Sequence, residues 1–134
     1  MKYVRQLTGL GLVAAAVTAV SAGPALASGT ELGAKLAPGK AFPAAKGYAD
    51  YQRGQYRELD VKVAHLASSA GQRVGVFLNG HRVGSMVVRA SGSAEFDVTT
   101  EYGQNVPRVH VGDRLGVRNH GVRVAGGKFQ RVVS

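Results

Sequence analysis

The sequence predicts an all-β domain: an antiparallel two-sheet sandwich of immunoglobulin-like architecture without a disulfide, with a small β-barrel as the runner-up. Three observations carry that expectation. Short runs alternate apolar and polar side chains with period two, the pattern of half-buried antiparallel strands. Turn residues, many drawn from 19 glycines, separate those runs at close spacing. No stretch repeats apolar residues at helical spacing, and the absence of cysteine removes the inter-sheet disulfide of immunoglobulin domains.

The chain begins with an export signal. Met1-Lys2-Tyr3-Val4-Arg5 is a basic start, residues 7–20 are apolar, and Ala25-Leu26-Ala27 is a small-residue cleavage site, so residues 1–27 read as a secretory signal peptide. The apolar run falls short of the ~20 residues of a membrane span, and no later stretch supplies one. The mature protein is expected outside the cell, secreted or associated with the cell wall. Residues 28–46 are rich in Gly, Ala, Pro and Lys without a period and read as a flexible linker, leaving residues 47–134 as the folded domain.

Within that domain, residues 48–52 form a first candidate strand, turned at Arg53-Gly54-Gln55. Residues 56–66 alternate most clearly, with Leu59, Val61 and Val63 inward, Glu58, Asp60 and Lys62 outward, and His65 continuing the apolar register to the rim. Residues 74–88 form a hairpin around Asn79-Gly80, the dipeptide suited to the two positive-φ positions of a type I′ turn. That turn pairs Leu78 with His81, Phe77 with Arg82, Val76 with Val83, Gly75 with Gly84 and Val74 with Ser85. Val74, Val76, Leu78, Val83 and Val87 then face the core. Ala94, Phe96 and Val98 point inward from the next strand, and Val106-Pro107 opens an edge segment that Val109 and Val111 continue to a turn at Gly112-Asp113. Leu115 and Val117 lie in a strand that turns at Asn119-His120-Gly121 and returns through Val122 and Val124. Gly126-Gly127 is expected to break that ladder, and Phe129 closes the chain.

Val76-Phe77-Leu78-Asn79-Gly80, Val83-Gly84, Gly92-Ser93-Ala94, Val106-Pro107, Val111-Gly112-Asp113 and Gly127-Lys128-Phe129 together resemble small exported β-sandwich domain proteins of high-GC bacteria. These are turn and core residues, so the resemblance implies a fold and an export class and brings no activity with it.

Two surfaces are candidate working sites. The full chain carries a formal charge of +9, and the part after residue 27 holds 15 basic and 8 acidic side chains, a net +7. Beyond residue 102 the excess becomes local: Arg108, Arg114, Arg118, Arg123, Lys128 and Arg131 stand against Asp113 alone. Five of these six are arginine, whose planar fork suits phosphate and carboxylate, so they are the candidate polyanion-binding residues. An anionic cell-wall polymer or other extracellular polyanion is the partner this balance favours. Sparse aromatics in the same stretch argue against stacking on single-stranded nucleic acid. The second surface is the back of the hairpin, where Arg73, Gly75, Phe77, Arg82, Gly84, Met86 and Val88 suit contact with another protein or a second copy.

Other classes lack their motifs. Absence of cysteine excludes thiol nucleophiles, thiolate zinc and iron-sulfur ligation. His65, His81, His110 and His120 show no His-x-His or His-x-x-x-His spacing, so no metal or other cofactor is expected. No Gly-x-Ser-x-Gly is present, and Glu58/Asp60 and Glu95/Asp97 read as solvated outer-face pairs placed for arginine across the sheet. A non-catalytic binding module is therefore the expectation, and a small hydrolase or metal protein the least favoured class.

Overall fold

A computed structural model describes residues 29–132; the expected signal peptide lies outside the described residues. The nine strands are β1 (Thr30–Pro38), β2 (Lys46–Arg53), β3 (Arg57–Ala64), β4 (Arg73–Leu78), β5 (His81–Val87), β6 (Ala94–Thr99), β7 (Arg114–Asn119), β8 (Val122–Lys128) and β9 (Gln130–Arg131). Single 3-10 turns at Ala67–Ser69 and Thr100–Tyr102 are the only helical pieces among the described residues. No helix there is long and apolar enough to cross a membrane.

All pairings are antiparallel, in the order β5-β4-β7-β8-β1-β2-β3-β6, with β9 added beside β1. The runner-up architecture is the one that forms, since this one sheet rolls into a nearly closed barrel. The reason lies in β1. Its first seven residues pair with β2, while Ala37 and Pro38 pair with Gly126 and Ala125 of β8 respectively, so one continuous strand joins what would otherwise be two sheets. The two end strands, β5 and β6, meet through side chains: Gly84 lies against the Phe96 ring, where any Cβ on residue 84 would collide.

β1 also corrects the expected linker over residues 28–46. Leu32, Ala34 and Leu36 alternate with Glu31 and Lys35, and all three apolar side chains are buried. The period is short and the neighbouring Gly, Ala and Pro mask it. Eight barrel strands leave an interior that side chains just fill. Here Tyr51, Phe129, Leu32, Leu59, Leu66 and Leu115 are the largest fully buried members. At ~1.5–3 kcal/mol for each large apolar side chain, this core is what holds a cysteine-free domain together.

The turns follow expectation and the registers beside them do not. Asn79 and Gly80 have φ of 50° and 83°, and His120 and Gly121 have 51° and 81°, so both hairpins carry two consecutive positive-φ residues. In the first, Leu78 faces His81 and Phe77 faces Arg82, but Val76 then faces Gly84. Val83 is bulged out. One extra residue reverses every later side chain, so Met86 and Val88 are buried and Val87 is 47% exposed, opposite to expectation. In the second hairpin the irregularity falls at Val124, and Gly126 and Gly127 stay in the ladder opposite Gly116 and Leu115. Residues 106–111 are not a strand, although Val106 and Val109 are buried. β3 ends at Ala64 because His65 takes φ 67°, and Leu66 continues the core in its place.

Candidate functional site

With Val74, Val76 and Leu78 inside β4, pleating sends Arg73, Gly75 and Phe77 outward. Likewise Leu115 and Val117 face the core from β7, so Arg114, Gly116 and Arg118 face solvent. Registry then aligns the outward residues across strands. Phe77 lies opposite Gly116, which lies opposite Gly126; Gly75 lies opposite Arg118, which lies opposite Arg123; and Arg114 lies opposite Lys128. The hairpin's back and the arginine stripe, separate candidates in the sequence, form one surface.

At its centre is a groove of about 180 Å³, lined by Phe77, Arg114, Gly116, Arg118, Arg123 and Lys128 among others. Gly116 leaves its floor bare, while the Arg123 guanidinium lies over Gly126. A Cβ on Gly116 would meet nothing within 4 Å, so this glycine opens space where a neighbour does not demand it. Phe77 forms one wall. The Arg118 guanidinium stands 5.2 Å from its ring centroid and Arg82 stands 5.9 Å away, so two cations hold the ring through its negative face. A latch fixes the groove's end: the Arg114 N–H donates to the Asn79 side-chain oxygen at 2.8 Å, and the Asn79 N–H donates to the Arg114 carbonyl at 2.8 Å.

The electrostatics are one-sided. Arg118/Arg123 and Arg114/Lys128 are like charges placed directly opposite, an arrangement that costs stability unless something neutralises it. Among the described residues, no ion pair engages any of the four. The nearby carboxylate, Asp113, is committed elsewhere. Burial pushes it up, but the His110 N–H, the Asn79 side chain and the His110 ring together hold it below the usual carboxylate range.

The chain matches no protein-family model and none of the curated proteins compared with it.

Not every expected residue joins this face. Arg73 donates to the Ser85 hydroxyl at 3.0 Å on its flank, Arg108 precedes β7 outside the groove, and Arg131 sits on β9 beside β1. Met86 and Val88 are core, and Gly84 is covered by Phe96, so three members of the expected partner patch leave it. Gly116 and Gly126 join the groove although the sequence assigned no role to the first and a ladder break to the second; a glycine inside a strand was the available signal.

Of the acidic pairs, Glu95 does meet an arginine, Arg89 at 3.6 Å, and Asp60 does not. Instead of facing arginine, Asp60 lies directly between Asp50 and Asp97 on the neighbouring strands. Burial, then Asp97 and Glu58, push Asp60 up to about 7, and burial with Glu31 raises Asp50. Carboxylate oxygens of Glu58, Asp60 and Asp97 come within 4.8 Å of one another, the one such grouping of three potential metal ligands among the described residues. The histidines do not gather. The Asn79 and His120 turns lie at opposite ends of β7, which separates His81 from His120.

Proposed function

We propose that this protein is an exported, non-catalytic binding module that takes an extended polyanion across the β4-β7-β8 face. The observation that carries the reading is the pair of directly opposed cation couples, Arg118/Arg123 and Arg114/Lys128, over a glycine floor with no acidic neighbour engaged. Such couples are unfavourable alone and become favourable when phosphate, sulfate or carboxylate groups lie between them. The shallow floor suits a chain passing across it better than a small molecule enclosed by it. The N-terminal signal supports a partner outside the cell, such as wall phosphate or acidic polysaccharide.

The test is retention on immobilised heparin. The mature chain should elute at elevated salt, and Arg114→Gln, Arg118→Gln and Arg123→Gln combined should elute near the void at physiological ionic strength, where exposed charges are already screened beyond ~8 Å. Retention unchanged in the triple variant would overturn the reading. A contact surface built on the apolar back of the hairpin loses its support, because Met86 and Val88 lie inside.

A further inference from the structure

Across the Pro38 end of β1 and the strands that follow it in the sheet, β2, β3 and β6, the outer surface carries a trough of about 780 Å³. With ~4.8 Å between strands, it is about 14 Å long. Registry explains its form. Lys35, Tyr48, Lys62 and Glu95 stand outward in one row across the four strands. Two residues on, the outward row is Lys46 opposite Ala64, flanked by Ala37 of β1 and by Ser93 just before β6, so three of its four side chains are small. Small residues sink the floor and the longer row walls it. Tyr48 leans over Gly33, where any Cβ would collide with its hydroxyl, so its ring lies along the side of the trough. Around this apolar floor the charge is one-sided: Lys35, Lys46, Lys62 and Arg89 line the trough against a single carboxylate, Glu95. Glu95 is engaged at the β6 end, by Arg89 at 3.6 Å and Lys62 at 3.8 Å. Among the described residues no ion pair engages Lys35 or Lys46. These two stand on a diagonal, ~7–8 Å apart at their backbones, a gap that two flexible ammonium stems can close on one anion. Asp50, on the other diagonal from Lys35, is not among the residues that line the trough.

We infer that this trough binds one molecule of a single-chain amphiphile with an anionic head, of which a fatty acid is the simplest. The head lies between Lys35 and Lys46, and the alkyl chain runs over Ala64 toward β6. Ligand sites of ~300–1,000 Å³ are mostly apolar with a few placed polar groups, which is the composition here. The alkyl stems of Lys46, Lys62 and Arg89 add apolar wall while their charged ends reach water. Glu95 sets the direction, because an anionic head at the β6 end would meet a carboxylate, whereas at the β1 end it meets two unpaired cations. Concavity commits the site to a free molecule: a bilayer surface is entered by protruding apolar side chains, and the floor here is Ala37 and Ala64. The trough shares no residue with the arginine groove, so the inference stands apart from the polyanion reading.

Titration calorimetry of the mature chain with laurate, kept below micelle-forming concentrations, tests this. Laurate should bind one to one, acetate should give no heat because it lacks the chain, and dodecyl maltoside should bind more weakly because its head is neutral. Lys35→Gln/Lys46→Gln should weaken laurate by about tenfold, the sum of two exposed charge-assisted contacts. Ala64→Gln, which puts a polar amide on the floor and leaves both lysines, should weaken laurate and dodecyl maltoside alike. All three positions lie on the outer surface, so both variants should keep the wild-type circular dichroism. Arg114→Gln/Arg118→Gln/Arg123→Gln, which removes as many charges elsewhere, should bind laurate as the wild type does. The inference is overturned by laurate binding that survives both trough variants, by its loss in the arginine variant, or by dodecyl maltoside binding as tightly as laurate. Co-sedimentation with phosphatidylglycerol vesicles in the absence of laurate binding would also overturn it, in favour of a lipid surface. Heparin retention reports only on the arginine face, and the two trough variants should keep it whatever laurate does.

Discussion

Asp60 shows how one residue can work against the fold that holds it. Its carboxyl lies between Asp50 and Asp97, half withdrawn from water, with its Oδ1 buried and without a hydrogen-bond partner. Its pKa rises from 3.8 to about 7, through burial first and Asp97 second. The sign follows from proton counting. Between those two values the folded protein holds a proton that the unfolded chain releases, so stability falls as pH rises through that window and is flat above it. Asp113, held low, contributes in the opposite sense, and its stabilisation is lost only as pH falls below the ordinary carboxylate range. Urea unfolding should accordingly show greater stability near pH 5 than near pH 8, by on the order of 1 kcal/mol after discounting for solvent screening. Asp60→Asn should raise stability at pH 8 and flatten the profile. A stability that climbs from pH 5 to pH 8 in the wild type, with no change in the Asn variant, would refute this assignment.

At the scale of the strand and hairpin, the turns were legible and the registers were not. Asn79-Gly80 and His120-Gly121 announce themselves because few residue pairs accept two consecutive positive φ values. The bulges at Val83 and Val124 leave no such mark, since valine suits a regular strand position as well as a bulged one. One unannounced residue reversed the faces of Met86, Val87 and Val88, and with them the expected partner patch. β1 was hidden for another reason: its alternation is brief and its neighbours are small. The arginines of the site were visible as a local excess, yet their union with Phe77 depends on β4 pairing with β7, a contact between strands 35 residues apart at the Asn79–Arg114 latch. That latch can be tested. Asn79→Gly keeps the positive φ and loses the side-chain acceptor of the Arg114 N–H, whereas Asn79→Ala loses both. The glycine variant should cost ~1 kcal/mol and the alanine variant ~1–2 kcal/mol more by denaturant titration. Equal losses would show that the turn conformation contributes little.

The whole molecule carries an arginine face on β4, β7 and β8, a face with a row of three aspartates on β2, β3 and β6 and a net charge of +7 after residue 27, and salt should reveal which term governs its stability. Within each face, like charges sit directly across strands at roughly 5 Å, as Arg118/Arg123 and Asp60/Asp97 do. Attraction between the faces acts across the barrel, well beyond the ~8 Å Debye length at physiological salt. Repulsion is therefore the short-range term, and the excess of positive charge adds self-repulsion that favours expansion. The three ion pairs among the described residues, Lys62–Glu95, Arg89–Glu95 and His110–Asp113, are long and each has an exposed cationic partner, so their screening removes little. Raising sodium chloride from about 10 mM to about 150 mM should thus raise the melting temperature of dilute, monomeric protein by a few degrees. The triple Arg→Gln variant should start higher and respond less. A melting temperature that falls with added salt would mean that attraction between the faces outweighs repulsion within them, and that the surface charges stabilise the barrel instead of taxing it.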